Sequence, residues 1–291
     1  MKKIGFLSFG HWNPSPQSVT RSAADALLQT IDLAQAAEDL GGDGAYVRVH
    51  HFARQLASPF PLLAAIGART KRIEIGTAVI DLRYENPHHM AEDAASADLI
   101  SSGRLQLGLS RGSPEQVIDG YRHFGFTPAE GKTDADMGRE HAEVFLDLLD
   151  GKGFAKPGPR PMFPDPPGLL RPEPHSEGLK DRIWWGSATD TTAVWAAKLG
   201  MNLQSSTLKF DETGEPFPIQ QANRSAPAAQ HGPGLAIPAR RGCRSNPQGI
   251  ASRHGIRKCR ALVFASPPLA AGPTSSSSAW AAGAAAAFVG A

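Results

Sequence analysis

Cysteine is missing from the first 242 of the 291 residues; Cys243 and Cys259 are the two copies. Neither a disulfide framework nor a thiolate metal site therefore supports the main body of the chain. Acid is missing from residues 223–291, where eight Lys or Arg leave a net of +8. Residues 1–222 hold all 28 Asp or Glu and 22 of the 30 basic residues, a net of −6. Long apolar runs are missing too. The run Ile4–Phe9 behind Lys2 and Lys3 is too short to span a membrane, and no small-residue cleavage pattern follows it. It reads as a first strand, in a protein expected in the cytoplasm with no membrane partner. No G-x-G-x-x-G and no G-x-x-x-x-G-K-[ST] stretch occurs, so a Rossmann site and a P-loop lack support. No HxH or HExxH pattern accompanies the pairs His50-His51 and His88-His89, and no metal is expected.

What is present is an alternation of strands and helices. Residues 3–9 read as a strand. Residues 22–40 carry a 3.6-residue apolar face and stop at Gly41-Gly42. Ala45–Val49 is a second strand, running into His50-His51-Phe52. Ser58-Pro59 opens a helix to Ala68, since proline suits a first turn. Arg72–Val79 is a third strand, Pro87 to about Ile100 a helix, and Arg104–Leu109 a fourth strand. The repeat fits right-handed βα units around a parallel sheet. Residues 134–150 read as another helix, and 151–181, rich in Pro and Gly, as a loop or lid. Arg182–Gly186 is a strand, about 190–199 a helix, and Met201–Ser205 a sixth strand. Beyond about Gln221 only Ala261–Phe264 resembles a strand. The chain divides into a barrel region, 1–222, and an atypical basic tail, 223–291.

Several polar residues follow strands directly. Arg111 precedes Gly112 and has the fork that grips phosphate; the plain alternative is a surface arginine at a turn. Ser187, Thr189, Thr191 and Thr192 open a helix, which makes either an anion site or an ordinary N-cap. One histidine of the His50-His51 pair suits an acid, base or hydrogen bonder near neutral pH, or is a loop histidine satisfied by backbone. Gly108–Gly112 also fits the G-x-S-x-G elbow around Ser110, with Asp147, Asp181 and His175 as triad candidates. Asp98 and Arg104 are expected to pair across a helix-to-strand turn. Trp12, Tyr84 and Phe126 are possible substrate-side surfaces.

Taken in order, His50-His51-Phe52, Ser58-Pro59, Thr70–Val79, Pro87, Ala91-Glu92, Asp98–Leu105, Gly108–Gly112 and Gly186–Ala193 resemble the bacterial luciferase-like flavin monooxygenases over about residues 1–221. The resemblance implies a (β/α)8 TIM barrel, usually a homodimer, that uses reduced FMN or, in some branches, F420. It implies molecular oxygen, a small organic substrate and a separate NAD(P)H-dependent flavin reductase as partners. His50 matches the active-site histidine, which acts on the oxygenated flavin. Arg111 matches the arginine on the flavin phosphate, with Ser187 and Thr192 as its helix-start partners. Thr77 and Ala78 match the strand end, often strained or cis, that backs the flavin ring. The family pattern has Glu before the two histidines, where this chain has Val49.

Rival expectations are an F420-dependent oxidoreductase, an inactive barrel relic or scaffold, and a basic tail acting as a nucleic-acid arm. The arm lacks interleaved aromatics and a matching fold, and no nucleic-acid partner is expected. The tail has 18 alanines, no acid and no hydrophobic period. That composition fits a shift of reading frame near residue 222 in a gene rich in G and C. Without strands seven and eight, the barrel is expected to stay open at its edges.

Overall fold

The computed structural model describes residues 3–112, 116–160, 163, 167–187, 189–206, 261–264 and 284–290. Strands β1 (Lys3–Ser8), β2 (Gly44–Val47), β3 (Glu74–Thr77), β4 (Ile80–Asp81), β5 (Leu105–Ser110), β6 (Ile183–Gly186) and β7 (Asn202–Ser206) alternate with helices. These are α1 (Ala23–Asp39), α2 (Pro59–Arg69), α3 (Pro87–Ile100), α4 (Asp134–Leu148) and α5 (Asp190–Lys198). Short 3-10 turns cover Gly120–Phe124 and Leu179–Arg182. Four of the five helices start on a side-chain cap, and α2 starts on Pro59, behind Ser58, without one. Ser22 and Asp25 form a capping box on α1, and Thr133 and Asp136 another on α4. Asn86 accepts from the His88 and His89 amides above Pro87.

β1, β2 and β3 pair in parallel, as do β5, β6 and β7. Both β3 and β4 pair with β5, so they are two pieces of one stave, with the cis Ala78–Val79 peptide between them. β8 (Ala261–Phe264) runs parallel to β7. β9 (Ala284–Gly290) lies antiparallel to both β8 and β1. The sheet is therefore a closed ring of eight staves, counting β3 and β4 together. The βα alternation expected from sequence holds through β7. The expected open edge does not: β8 and β9 fill it. The last stave breaks the all-parallel rule, which makes this a partial (β/α) barrel.

Most of the strands are buried on both faces, as parallel staves inside a ring of helices must be. The end of the barrel opposite the strand termini is clamped by charge. Arg104 donates to the carbonyls of Gly67, Thr70, Ile73 and Ser101 at 2.7–2.8 Å and to the Thr70 hydroxyl. Glu38 accepts from the amides of Lys71, Arg72 and Ile73. Fully buried Asp98 accepts from the Leu105 amide, the Ser176 hydroxyl and Arg182. Asp98 thus pairs with Arg182, not with Arg104 as the sequence suggested. Arg104 is taken up by carbonyls that the α2–β3 and α3–β5 turns leave open.

Candidate active site at the strand ends

β2 ends at Val47, and the next four residues turn over the rim of the barrel. The His50 amide donates to the Leu56 carbonyl, and the Leu56 amide to Phe9, which folds 50–56 into a tight loop beside the end of β1. Gly10 has a left-handed φ of 59°, and a side chain there would strike Leu56.

The His50 ring is held on both nitrogens. Nδ1 lies 2.6 Å from Gln55 Oε1, and Arg48 Nε donates to Nε2 at 3.2 Å. Gln55 Nε2 in turn lies 2.6 Å from His11 Nε2. An arginine has only protons to give, so His50 Nε2 carries the lone pair and Nδ1 the proton. Burial pushes the His50 imidazole below its ordinary range, the Gln55 bond opposes that, and the Arg48 charge adds to it. Arg48 also donates to the Ala78 carbonyl at 3.1 Å. Val49 is buried and apolar, so no carboxylate stands at the position where the family pattern has Glu.

These residues wall a cavity of about 160 Å3 together with His51, Asp81 and Tyr84. Ala53, Val79, Ser110 and Gln116 complete its lining. His51 stacks on Tyr84, ring centroids 4.2 Å apart. His51 Nε2 and the Tyr84 hydroxyl are buried without a partner among the described residues. Asp81 is committed elsewhere: Arg83 reaches both its oxygens and also binds Asp134. Gly112 lies against this arginine, where any side chain would collide with the guanidinium.

The other candidates fall on the same rim. Leu109 pairs with Trp185, so Arg111 leaves β5 two residues beyond that pair, as Ser187 leaves β6. Arg111 is exposed and makes no hydrogen bond or ion pair among the described residues. The Ser187 and Thr192 hydroxyls meet at 2.8 Å above the start of α5, where Thr189 caps the helix. Ala78 is buried against Arg48 through its carbonyl. Thr77 is turned to the sheet: its hydroxyl donates to the Gly108 carbonyl and accepts from the Gly108 amide. It is therefore spent on joining β3 to β5.

Ser110 ends β5 on this rim, accepting from the Gly112 amide. Asp181 precedes β6, which runs parallel to β5, and so lies at the far end of the barrel. Asp147 is in the last turn of α4, whose first turn meets Arg83. His175 lies by Gly151, just past that helix. These three candidates are thus separated from Ser110 by the length of the barrel, so none of them serves it as a triad partner. Tyr84 does face the cavity, whereas Trp12 and Phe126 do not line it. None of the described residues of 151–181 lines it either; Phe154 packs on His88 at the start of α3. The sequence reading missed Arg48 and Gln55, the two residues that fix His50. Arg48 hid inside a strand-like run, where a cation reads as solvent-facing.

A luciferase-like monooxygenase family model matches residues 5–248. The chain belongs to that family. Bacillus subtilis (strain 168) YwcH, an uncharacterized protein, is 31% identical over 220 residues, which cover 74% of this chain and 61% of YwcH. This chain therefore spans about six-tenths of that relative's length. The monooxygenase RslO1 from Streptomyces bottropensis has the same fold, with a TM-score of 0.60 at 23% identity over 78% of this chain and 66% of that one. So has the oxygenating constituent of a Pseudomonas putida 3,6-diketocamphane monooxygenase in complex with FMN, with a TM-score of 0.57 at 20% identity over 80% of this chain and 65% of that one. Among the described residues no helix is long and apolar enough to cross a membrane, and no group of three metal-ligating side chains occurs.

Proposed function

We propose that this protein is a flavin-dependent monooxygenase that uses reduced FMN and molecular oxygen to oxidise a small organic substrate. One observation carries the reading. In a barrel of this family, an unpaired arginine and a hydroxyl-lined helix start share a rim with a cavity built around a neutral histidine. The donor set fits FMN. Arg111, Ser187, Thr192 and the open amides at the start of α5 would hold the phosphate. Ala78 and Val79 would back the ring.

Reduced FMN, when bound, supplies the reaction with oxygen and the transfer of one oxygen atom. The chain supplies the rest. Gln55 and Arg48 set the tautomer of His50, so that Nδ1 holds a proton and Nε2 a lone pair. Burial keeps that imidazole neutral near pH 7, ready to accept a proton or a hydrogen bond at Nε2. Val49, Val79 and Tyr84 exclude water from the same space. The reduced flavin would come from a separate NAD(P)H-dependent reductase.

Titration of the protein with FMN and with F420, followed by flavin fluorescence, tests the reading. FMN should bind stoichiometrically, and Arg111→Met should weaken it roughly tenfold, the worth of a charge-assisted phosphate contact. Reduced FMN should then drive oxygen uptake that depends on added aldehydes or thioethers. F420 binding in place of FMN would move the protein to a deazaflavin oxidoreductase. Binding of neither would leave a non-catalytic barrel.

A further inference from the structure

The cavity holds more polar capacity than its own walls use. Arg48 spends Nε on His50 and Nη1 on the Ala78 carbonyl. Its Nη2 has no partner among the described residues, and no carboxylate pairs with it. The carboxylate on the same cavity, Asp81, is neutralised by Arg83. The guanidinium is half-buried and lies 5.8 Å over the Phe9 ring, with its charge left to offer an anion that enters the cavity. Two further groups stand unused around the same space. The Tyr84 side chain is 4% exposed, and its hydroxyl has no partner among the described residues. His51 Nε2 is buried and, among the described residues, equally unpartnered. A native interior gives such groups partners, so each is open to a ligand or an ordered water.

We propose that this cavity is a carboxylate-binding subsite, which takes the acid group of a small carboxylic-acid substrate on Arg48, with Tyr84 and His51 as supporting hydrogen-bond partners. The inference rests on the monooxygenase reading and names its substrate class. Arg48 gives the subsite its sign. Its free Nη2 protons suit one carboxylate oxygen, and the Tyr84 hydroxyl donates to the other. At about 160 Å3 the cavity admits a short acid, which it would hold next to His50. Val49 belongs to the same design: a glutamate there would bring a second anion beside Arg48 and close the subsite to an acid.

Butyrate and butyramide, alike in shape and different in charge, test this by calorimetric titration of the full chain with and without FMN. Butyrate should bind roughly tenfold or more tightly than the amide, the worth of a charge-assisted hydrogen bond. Arg48→Met should bring the two within about twofold, and Arg48→Lys should keep part of the preference. Tyr84→Phe, which leaves the ring packing intact, should weaken butyrate by about three- to tenfold and guards against misfolding of the Arg48 variants. Equal affinities in the unaltered protein, or a preference that survives Arg48→Met, would overturn the proposal. Mutual exclusion of FMN and butyrate would also overturn it, because the cavity would then belong to the flavin. If FMN fails to bind while the acid preference holds, the flavin reading falls and the subsite stands.

Discussion

His50 has the geometry of a side chain selected for one protonation state. Gln55 accepts its Nδ1 proton and Arg48 donates to its Nε2. Replacing Gln55 with Leu leaves the ring free to turn, and turnover is expected to fall about tenfold or more, with FMN affinity unchanged. His50→Ala should cost about 10²- to 10⁴-fold in oxygen uptake driven by reduced FMN. The pH dependence follows from burial. The charged form of His50 is disfavoured in the fold, so the unfolded chain takes a proton first as pH falls. Stability from this residue is present above the ordinary histidine pKa of 6.5 and is lost as pH drops below it. Glu85 does the opposite. Burial, with Asp93 and Asp81 nearby, pushes its carboxyl up to about 7 from 4.5. The unfolded chain releases that proton first as pH rises, so stability declines between 4.5 and about 7. Glu85→Gln should therefore raise stability at neutral pH, by up to about 3 kcal/mol in urea titrations, and change little at pH 4.

Among the elements, the turns at the closed end depend on single side chains. Arg104 satisfies four carbonyls from two turns, so Arg104→Met should orphan them together and destabilise the fold by about 3 kcal/mol or more. Chemical denaturation would show it as a lower midpoint at unchanged slope. The elements themselves were readable from sequence wherever a period and a cap coincide. Ser22, Pro59, Pro87 and Thr133 mark helix starts because a free amide or a missing one is local chemistry. Ala261–Phe264 was legible as a strand from its apolar run. β9 was not, because an alanine run carries neither alternation nor β-branching, and its place is set by the neighbours β1 and β8. His50, Arg111 and Ser187 stood out because polar residues after parallel strands share a rim. Arg48, Gln55 and the commitment of Thr77 to Gly108 depend on which way side chains turn, which spacing does not encode.

For the molecule as a whole, the charge division still asks for an explanation: −6 over residues 1–222 and +8 over 223–291. We propose that the coding frame changes near residue 222. Against it stand the family match, which extends to residue 248, and the strands β8 and β9 that the tail adds to the barrel. Resequencing of the coding DNA should show a second frame beyond that point, one that contains acids and resembles the remainder of YwcH-like relatives. An intact frame with nothing homologous beneath it would refute the proposal.

The chain of contacts His11–Gln55–His50 joins two separate loops, since His11 follows β1 and His50 follows β2. His11 is exposed, and Phe9 stacks on it at 5.6 Å. The outermost imidazole is thus a handle on the innermost one. Acylation of His11 at Nε2 would remove the acceptor that orients the Gln55 amide and let the His50 ring swing. Diethyl pyrocarbonate, which ethoxyformylates exposed imidazoles first, would then slow chemistry at His50 in step with modification of His11.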